Sequence, residues 1–290
     1  MSATIILADH TGRLGNRMVL YSHVIAAAEE YGCKVINLSI LAASHFFQGL
    51  HQNPLGSYPA QKLPFDLRWL TRGLRQPIQS WVRSLRGRQF TAPRWLAVID
   101  RESHPVYRLD STEFASLVRR KKLIFLWGYP FRCPQLVRKH QKKIRDFFCF
   151  RGAEGTQASA KLKNCKALGK RGVCVHVRQD DAIYHPDLYI RPSLYAAALE
   201  AFLRSHASES WEAFVCSDGK VPAGLFPHES TWGVPRPLVE DLALMSGCDA
   251  MVGFKSTLSI FCAFVAEIPF YKINREDGSI LKDNDMFYSF

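Results

Sequence analysis

The sequence predicts an α/β protein made of two doubly wound domains, and three observations carry that expectation. The chain opens on a strand, a glycine-containing loop, a helix and a second strand within residues 4–38. From residue 172 onward, short apolar runs alternate with helix-length segments. At 290 residues, the chain is long for one compact core and comfortable for two domains of ordinary size.

Residues 4–8 form an apolar run with β-branched members, stopped by Asp9-His10-Thr11-Gly12, which reads as a buried strand entering a turn. The Ala-rich, Gly-free stretch 16–31 predicts a helix and 34–38 a second strand, together the opening of a parallel sheet. Residues 50–94 are less regular, interrupted by Pro54, Pro59, Pro64, Pro77 and Pro93. Strands are expected at 95–99 and 123–127, a helix near 111–120 between them, and one basic helix over 135–145. The Gly-, Ala-, Ser- and Lys-rich stretch 151–170 reads as a linker, which divides the chain into domains 1–160 and 161–290. Beyond it, strands are expected at 173–177, 213–216, 250–254 and 269–273, with helices at 192–205, 238–247 and 256–267. Two such domains facing one another make a cleft at the C-terminal ends of their strands, where ligands bind.

Apolar residues make up 47% and charged residues 22%, a balance that excludes a disordered chain. No apolar run is long enough to cross a bilayer. The opening residues lack the basic n-region of a secretory signal. The eight cysteines form no CxxC pair and sit mostly in apolar runs, as reduced core thiols of a cytoplasmic protein would. Charge is unevenly spread. Residues 1–165 hold 26 Lys and Arg against 10 Asp and Glu, while residues 166–290 hold 12 against 16, so +16 stands beside −4. The split implies an anionic partner for the first half, and charge alone leaves nucleic acid, anionic lipid and acidic glycans open.

Four segments carry chemistry. Gly12-Arg13-Leu14-Gly15-Asn16-Arg17 is a loop whose glycines would let backbone amides approach an anion at a helix start. In His176-Val177-Arg178-Gln179-Asp180-Asp181, at a strand end, His176 and Arg178 share a face, and the Arg fork suits diphosphate oxygens. Cys216-Ser217-Asp218-Gly219 ends a second strand in small polar residues. Glu240-Asp241-Leu242-Ala243-Leu244-Met245-Ser246 is followed by Lys255-Ser256-Thr257-Leu258-Ser259, whose hydroxyls would stand at a helix N-terminus. Taken singly, each has a plainer reading: a tight turn, a surface Arg–Asp pair, an N-cap.

Together and in this order, the four segments resemble family 11 glycosyltransferases, the α-1,2-fucosyltransferases, within the wider GDP-fucose-dependent group. GRLGNRM stands for the family's GGLGNQM-like loop, HVRQDD for its HVRRGD-like donor motif, and CSDG for its FSDD-like strand end. DLALMS and KSTLSIF stand for DLYLMS and NSTFSWW. The likeness covers the first 30 residues and most of 172–268. It departs at Gln179, Asp180, Lys255 and Ile260-Phe261, which bear on the identity of the sugar. The resemblance implies a GT-B architecture, two Rossmann-like domains facing a cleft, the first for the acceptor and the second for GDP-fucose. It carries over Arg178 and Asp181 as catalytic positions. Gly15, Asn16, His176, Asp218, Ser256 and Thr257 become donor-binding positions, and Lys255, where the family has Asn, is expected to join them by meeting the phosphate charge.

The reaction expected is inverting transfer of fucose from GDP-fucose to a hydroxyl of an oligosaccharide or lipid-linked glycan. Protein groups rather than a metal would meet the leaving charge, and the lack of an Asp-x-Asp metal motif at a strand end in a family-like position agrees with that. Asp181 is the first choice of general base and Asp180 its competitor. The alternatives are transfer from another nucleotide sugar and a catalytically silent sugar-nucleotide or glycan-binding protein. No RNP-like basic–aromatic module is present, so nucleic acid is not an expected partner. Residues 60–94 hold eight Lys and Arg against Asp66 alone, with Leu70, Leu74, Ile78, Trp81 and Leu85 at helical spacing. That pattern suits either a core-facing helix with a solvated basic face or an element lying on an anionic membrane surface. The expected setting is cytoplasmic, with the second reading adding attachment at the inner face of the membrane.

Overall fold

The computed structural model describes residues 2–7, 12–62, 93–101, 106–179, 189–226, 229–230 and 235–289, with isolated positions 73, 76, 77, 80, 84 and 187. The chain divides into two units, one of Met1–Cys149 with Tyr288–Phe290, the other of Phe150–Phe287.

In the first unit, β1 (Thr4–Leu7) leads through α1 (Leu14–Tyr31) to β2 (Lys34–Asn37) and a 3-10 turn at Leu41–Phe46. Then follow β3 (Leu96–Arg101), β4 (Tyr107–Arg108), α2 (Thr112–Arg120), β5 (Leu123–Gly128), β6 (Phe131–Arg132), α3 (Pro134–Lys139) and α4 (Gln141–Phe148). Four strands make a parallel sheet in the order β2-β1-β5-β3, and β4 pairs with β6 apart from it. Helix α1 is buried along most of its length, which its small alanines permit. It stops at Gly32, whose φ of 64° lets its N–H bond back to the Ala28 carbonyl. Helix α2 starts where the Ser111 hydroxyl accepts the Phe114 N–H. The basic stretch expected as one helix is two, broken at His140, which leaves helical backbone at φ −104° and ψ 16° while its Nε2 meets Glu30 of α1 at 2.9 Å.

The second unit begins with α5 (Gln157–Ala167), which corrects the linker reading of 151–170. Small residues and lysines suggested a flexible segment. In the fold, Thr156 caps the helix through Ser159, and the Glu240 carboxylate accepts the N–H groups of Gln157 and Ala158. Beyond it run β7 (Arg171–Val177), α6 (Pro192–Ser205), β8 (Trp211–Ser217), β9 (Glu229–Ser230), α7 (Leu238–Gly247), β10 (Ala250–Gly253), α8 (Thr257–Ala266), β11 (Phe270–Ile273) and β12 (Ile280–Lys282).

The sheet order is β12-β11-β10-β7-β8-β9, parallel except for the antiparallel hairpin of β11 and β12. One face of β7, formed by Val173, Val175 and Val177, packs with Tyr195, Leu199 and Phe202 of α6. The other face carries Cys174 and meets Cys216 of β8, whose thiol reaches the Asp241 carbonyl of α7. Helices thus cover both faces, which is why these strands read as unbroken apolar runs. From β7 the chain winds outward to β8 and β9, then returns across the sheet to β10 and winds the other way. The topological switch point therefore lies between β7 and β10, where a crevice opens beyond the strand C-termini.

Candidate functional site at the switch point of the second sheet

Each strand bordering the crevice hands over to a short polar segment. After β7 come Arg178 and Gln179. The Arg178 N–H donates to the Tyr195 hydroxyl of α6 at 3.4 Å, and its Nη1 donates to the Lys255 carbonyl at 3.3 Å. The guanidinium so spans from the end of β7 to the segment leaving β10. The Gln179 N–H donates to Asp218 Oδ1 at 2.7 Å, tying the end of β8 to the chain after β7. A side chain at Gly219 would bring its Cβ within 2.8 Å of the Gln179 side chain, so the close approach of these two ends requires glycine there.

His176, in β7 two residues before Arg178, is 5% exposed, and its Nδ1 has no hydrogen-bond partner. Burial pulls its pKa down to about 4, with the Asp218 charge opposing and the Arg178 charge adding, so the ring is neutral near pH 7. Beyond β10, Lys255 adopts φ 31°, a left-handed conformation that costs an ordinary residue roughly 1–2 kcal/mol. Ser256 is the N-cap residue of α8 but makes no side-chain capping bond, and Thr257 opens the helix. The first-turn amides of α8, which have no partners within the helix, stand at the mouth of the crevice with the positive end of the helix dipole.

Two features escaped the reading of the sequence. Arg236, in a Pro-Arg-Pro stretch, folds under the end of β8. Its Nε and Nη2 donate to Asp241 Oδ1 at 3.2 and 3.1 Å, and Nη2 also donates to the Val215 carbonyl. Burial raises Asp241 to about 6 against the pull of Arg236. The second is a cavity of about 710 Å³ beyond β10 and β11, lined by Phe254, Lys255, Lys272, Arg275 and Leu281 among others. Proline flanks were the one signal for Arg236, and nothing in the local pattern brings Lys272 and Arg275 to Lys255.

The fold thus gathers His176, Arg178, Asp218, Lys255, Ser256 and Thr257 at adjacent strand ends of one unit. Gly15 and Asn16 belong to the other unit. They lie in the first turn of α1, not in a loop before it, and Gly12, at φ 67°, leaves room for the Asn16 side chain, which a Cβ would meet at 2.5 Å. Asp181 and its competitor Asp180 lie outside the described residues. So does the basic segment 63–92, apart from isolated positions. All eight cysteines are free thiols, seven of them buried, and no helix among the described residues is long and apolar enough to cross a membrane.

No protein-family model matches the sequence, and no curated protein matches it. Among solved structures, the chain is similar to a variant of Arabidopsis thaliana FUT1 in complex with GDP, with TM-score 0.54 and 12% identity. The match covers 97% of this chain and 74% of that one. It also aligns with E. coli ADP-heptose LPS heptosyltransferase II at TM-score 0.41 and 12% identity, over 93% of this chain and 83% of that one, a likeness too slight to carry weight. The likeness to FUT1 is one of fold, and the fold is α/β and GT-B-like, with two doubly wound units.

Proposed function

We propose that the chain is a glycosyltransferase that takes a nucleotide sugar and transfers its hexose to a glycan hydroxyl. The donor named by the motif resemblance is GDP-fucose. One observation carries the reading: the Arg178 guanidinium, held against the Lys255 carbonyl, stands beside the start of α8 across the switch-point crevice. A fork of donors, a nearby ammonium, two hydroxyls and a helix N-terminus form a surface suited to a diphosphate leaving group. The GDP held by the fold neighbour adds support for that ligand class.

In this mechanism, the bond between the anomeric carbon and the β-phosphate oxygen breaks as the acceptor oxygen attacks from the opposite face, inverting the anomeric centre. Arg178, Lys255, Ser256 and Thr257 meet the charge that develops on the leaving diphosphate, without a metal ion. Fixed donors aimed at developing charge are commonly the largest catalytic contribution of such a site. The neutral His176 holds the nucleotide by hydrogen bonding, and Asp218 positions the chain that bears Arg178. Asp181 is the proposed base for the acceptor hydroxyl. The acceptor is an oligosaccharide or a lipid-linked glycan, reached from the cytoplasm at an anionic membrane surface.

The test is a melting-temperature series with GDP, UDP, CMP, ADP and GDP-fucose. A ligand at 100 times its Kd stabilises by about 2.7 kcal/mol. GDP and GDP-fucose should raise the midpoint well above the other nucleotides. A response to UDP alone would replace the donor, response without turnover would leave a binding protein, and no response to any nucleotide would end the reading.

A further inference from the structure

The cavity beyond β10 and β11 shares Lys255 with the edge at which Arg178 meets that residue's carbonyl, and extends from there along β11 and β12. Its walls are Phe254 and Lys255 after β10, Lys272 and Ile273 of β11, the turn residues Asn274, Arg275 and Ser279, and Ile280 and Leu281 of β12, with Asp187 at its rim. The turn is rigidly built. The Asn274 N–H donates to the Ser279 carbonyl, Asn274 Oδ1 accepts the Glu276 N–H, and Asp277 Oδ1 accepts the Ser279 N–H. The position of Arg275 is therefore set by backbone bonds rather than by a floppy loop.

Two properties meet in this cavity. The first is charge. Residues 166–290 hold 12 Lys and Arg against 16 Asp and Glu, yet three of those cations line this one cavity. Among the described residues the one acid lining it, Asp187, is fully exposed and 3.9 Å from Arg275, too loose a contact to neutralise the group. Lys272 and Lys255 make no ion pair among the described residues. Lys255 is moreover held in a left-handed conformation that a glycine would adopt without strain, and its ammonium lies 5.6 Å from the centre of the Phe254 ring. The second property is an apolar wall. Phe254 and Ile273 are buried at the base, and Leu281 leaves 69% of its surface exposed.

We propose that this cavity is a binding site for an anionic sugar, a ring whose apolar face lies on Ile280 and Leu281 while its phosphate or carboxylate meets Lys272, Arg275 and Lys255. This goes beyond the donor reading, which uses neither Lys272 nor Arg275. Converging cations on a concave surface raise the local concentration of an anion, and the apolar wall selects a ring over a bare ion. The anionic sugar has two sources, an acidic acceptor or the sugar-phosphate portion of the donor itself, and these are separable.

Calorimetric titration of the full chain with glucose 6-phosphate, glucose and inorganic phosphate, with and without saturating GDP, is the experiment. Glucose 6-phosphate should bind more tightly than phosphate, and glucose should not register. Lys272→Gln with Arg275→Gln should weaken glucose 6-phosphate at least tenfold. If GDP binds alongside it and keeps its affinity in the double variant, the site serves an acidic acceptor. If GDP displaces it and is itself weakened, the site holds the donor's own phosphate. Arg275→Gln alone, on an exposed turn, with its melting temperature compared to the parent, guards against misfolding as the cause and should weaken binding several-fold. Equal affinity of parent and double variant for glucose 6-phosphate would overturn the proposal. Failure of GDP to bind would sink the donor reading while leaving this comparison intact.

Discussion

At the scale of single residues, the proposed mechanism turns on Arg178. Arg178→Lys keeps the charge but replaces a planar fork with one ammonium, which can neither hold the Lys255 carbonyl as a guanidinium does nor grip two oxygens at once. Turnover should fall about 100-fold, with kcat carrying most of the loss, because the contact strengthens as the diphosphate departs. Near-parental kcat in the Lys variant would remove Arg178 from that role. A second residue-scale expectation concerns two buried groups with opposite shifts. Burial lowers His176 from 6.5 to about 4, so the folded unit binds fewer protons than the unfolded chain between those values, and this contribution grows as pH rises. Burial raises Asp241 from 3.8 to about 6, so the folded unit binds more protons there, and this contribution fades as pH rises. Each amounts to about 3 kcal/mol, and the two nearly cancel between pH 4 and 6. Asp241→Asn should therefore leave a stability that climbs with pH across that window, and His176→Gln one that declines. Hydrogen exchange at the β7 and β8 amides reads this locally, apart from His23 in the other unit, which burial holds at about 3. Parallel profiles in the two variants would contradict the assignment.

At the scale of elements, the end of β8 depends on a side chain from outside the sheet. Arg236 joins the Val215 carbonyl to Asp241 at the start of α7, and both charged side chains are nearly enclosed. Arg236→Leu leaves a buried carboxylate without its partner and should cost about 3–5 kcal/mol, while adding Asp241→Leu should recover much of that. Urea unfolding of the three proteins gives the answer, and a double variant no better than the single would mean that the pair acts through something besides charge. This element also marks where the sequence stops being readable. Helices α6 and α7 and strands β7, β8 and β10 show themselves because Pro192 opens one helix, glycines bound strands, and apolar runs such as Val173–Val177 are dense. Arg178 and His176 follow from lying two apart at a strand end. Arg236 does not follow, because its partner Val215 lies 21 residues back and only the folded sheet brings the two together. The cavity is hidden for the same reason, since only the pairing of Lys272 with Gly253 across β10 and β11 brings it near Lys255, two residues further on. Helix α5 was missed because its cap is completed by Glu240, about 80 residues on.

At the scale of the whole molecule, the excess of +16 over residues 1–165 needs a destination. The ion pairs of Lys139 and Lys143 with Glu30 and Glu29 of α1, and of Lys142 with Asp146, use acids already counted in that excess and leave it unchanged. The densest part of it lies at 60–94, eight cations against one acid. On the reading that this segment lies on a membrane, each basic residue near an anionic surface contributes about 1 kcal/mol, so several suffice for reversible attachment. The attraction falls off over about 10 Å at 0.1 M salt, so it should weaken steeply as salt is raised. The full chain should therefore sediment with vesicles of phosphatidylcholine and phosphatidylserine at low salt, stay in solution with phosphatidylcholine alone, and leave the anionic vesicles as salt increases. Changing Arg72, Arg75, Arg83 and Arg86 to Gln removes four of the eight cations and should abolish sedimentation, while GDP affinity, which the proposed function assigns to the second unit, should be unchanged. If the parent ignores anionic vesicles even at low salt, the segment is the solvated basic face of a core-packed helix, and the acceptor has to be sought among soluble glycans. If the four-Gln variant loses GDP affinity as well, the basic segment bears on the donor, and the assignment of donor binding to the second unit alone would have to be given up.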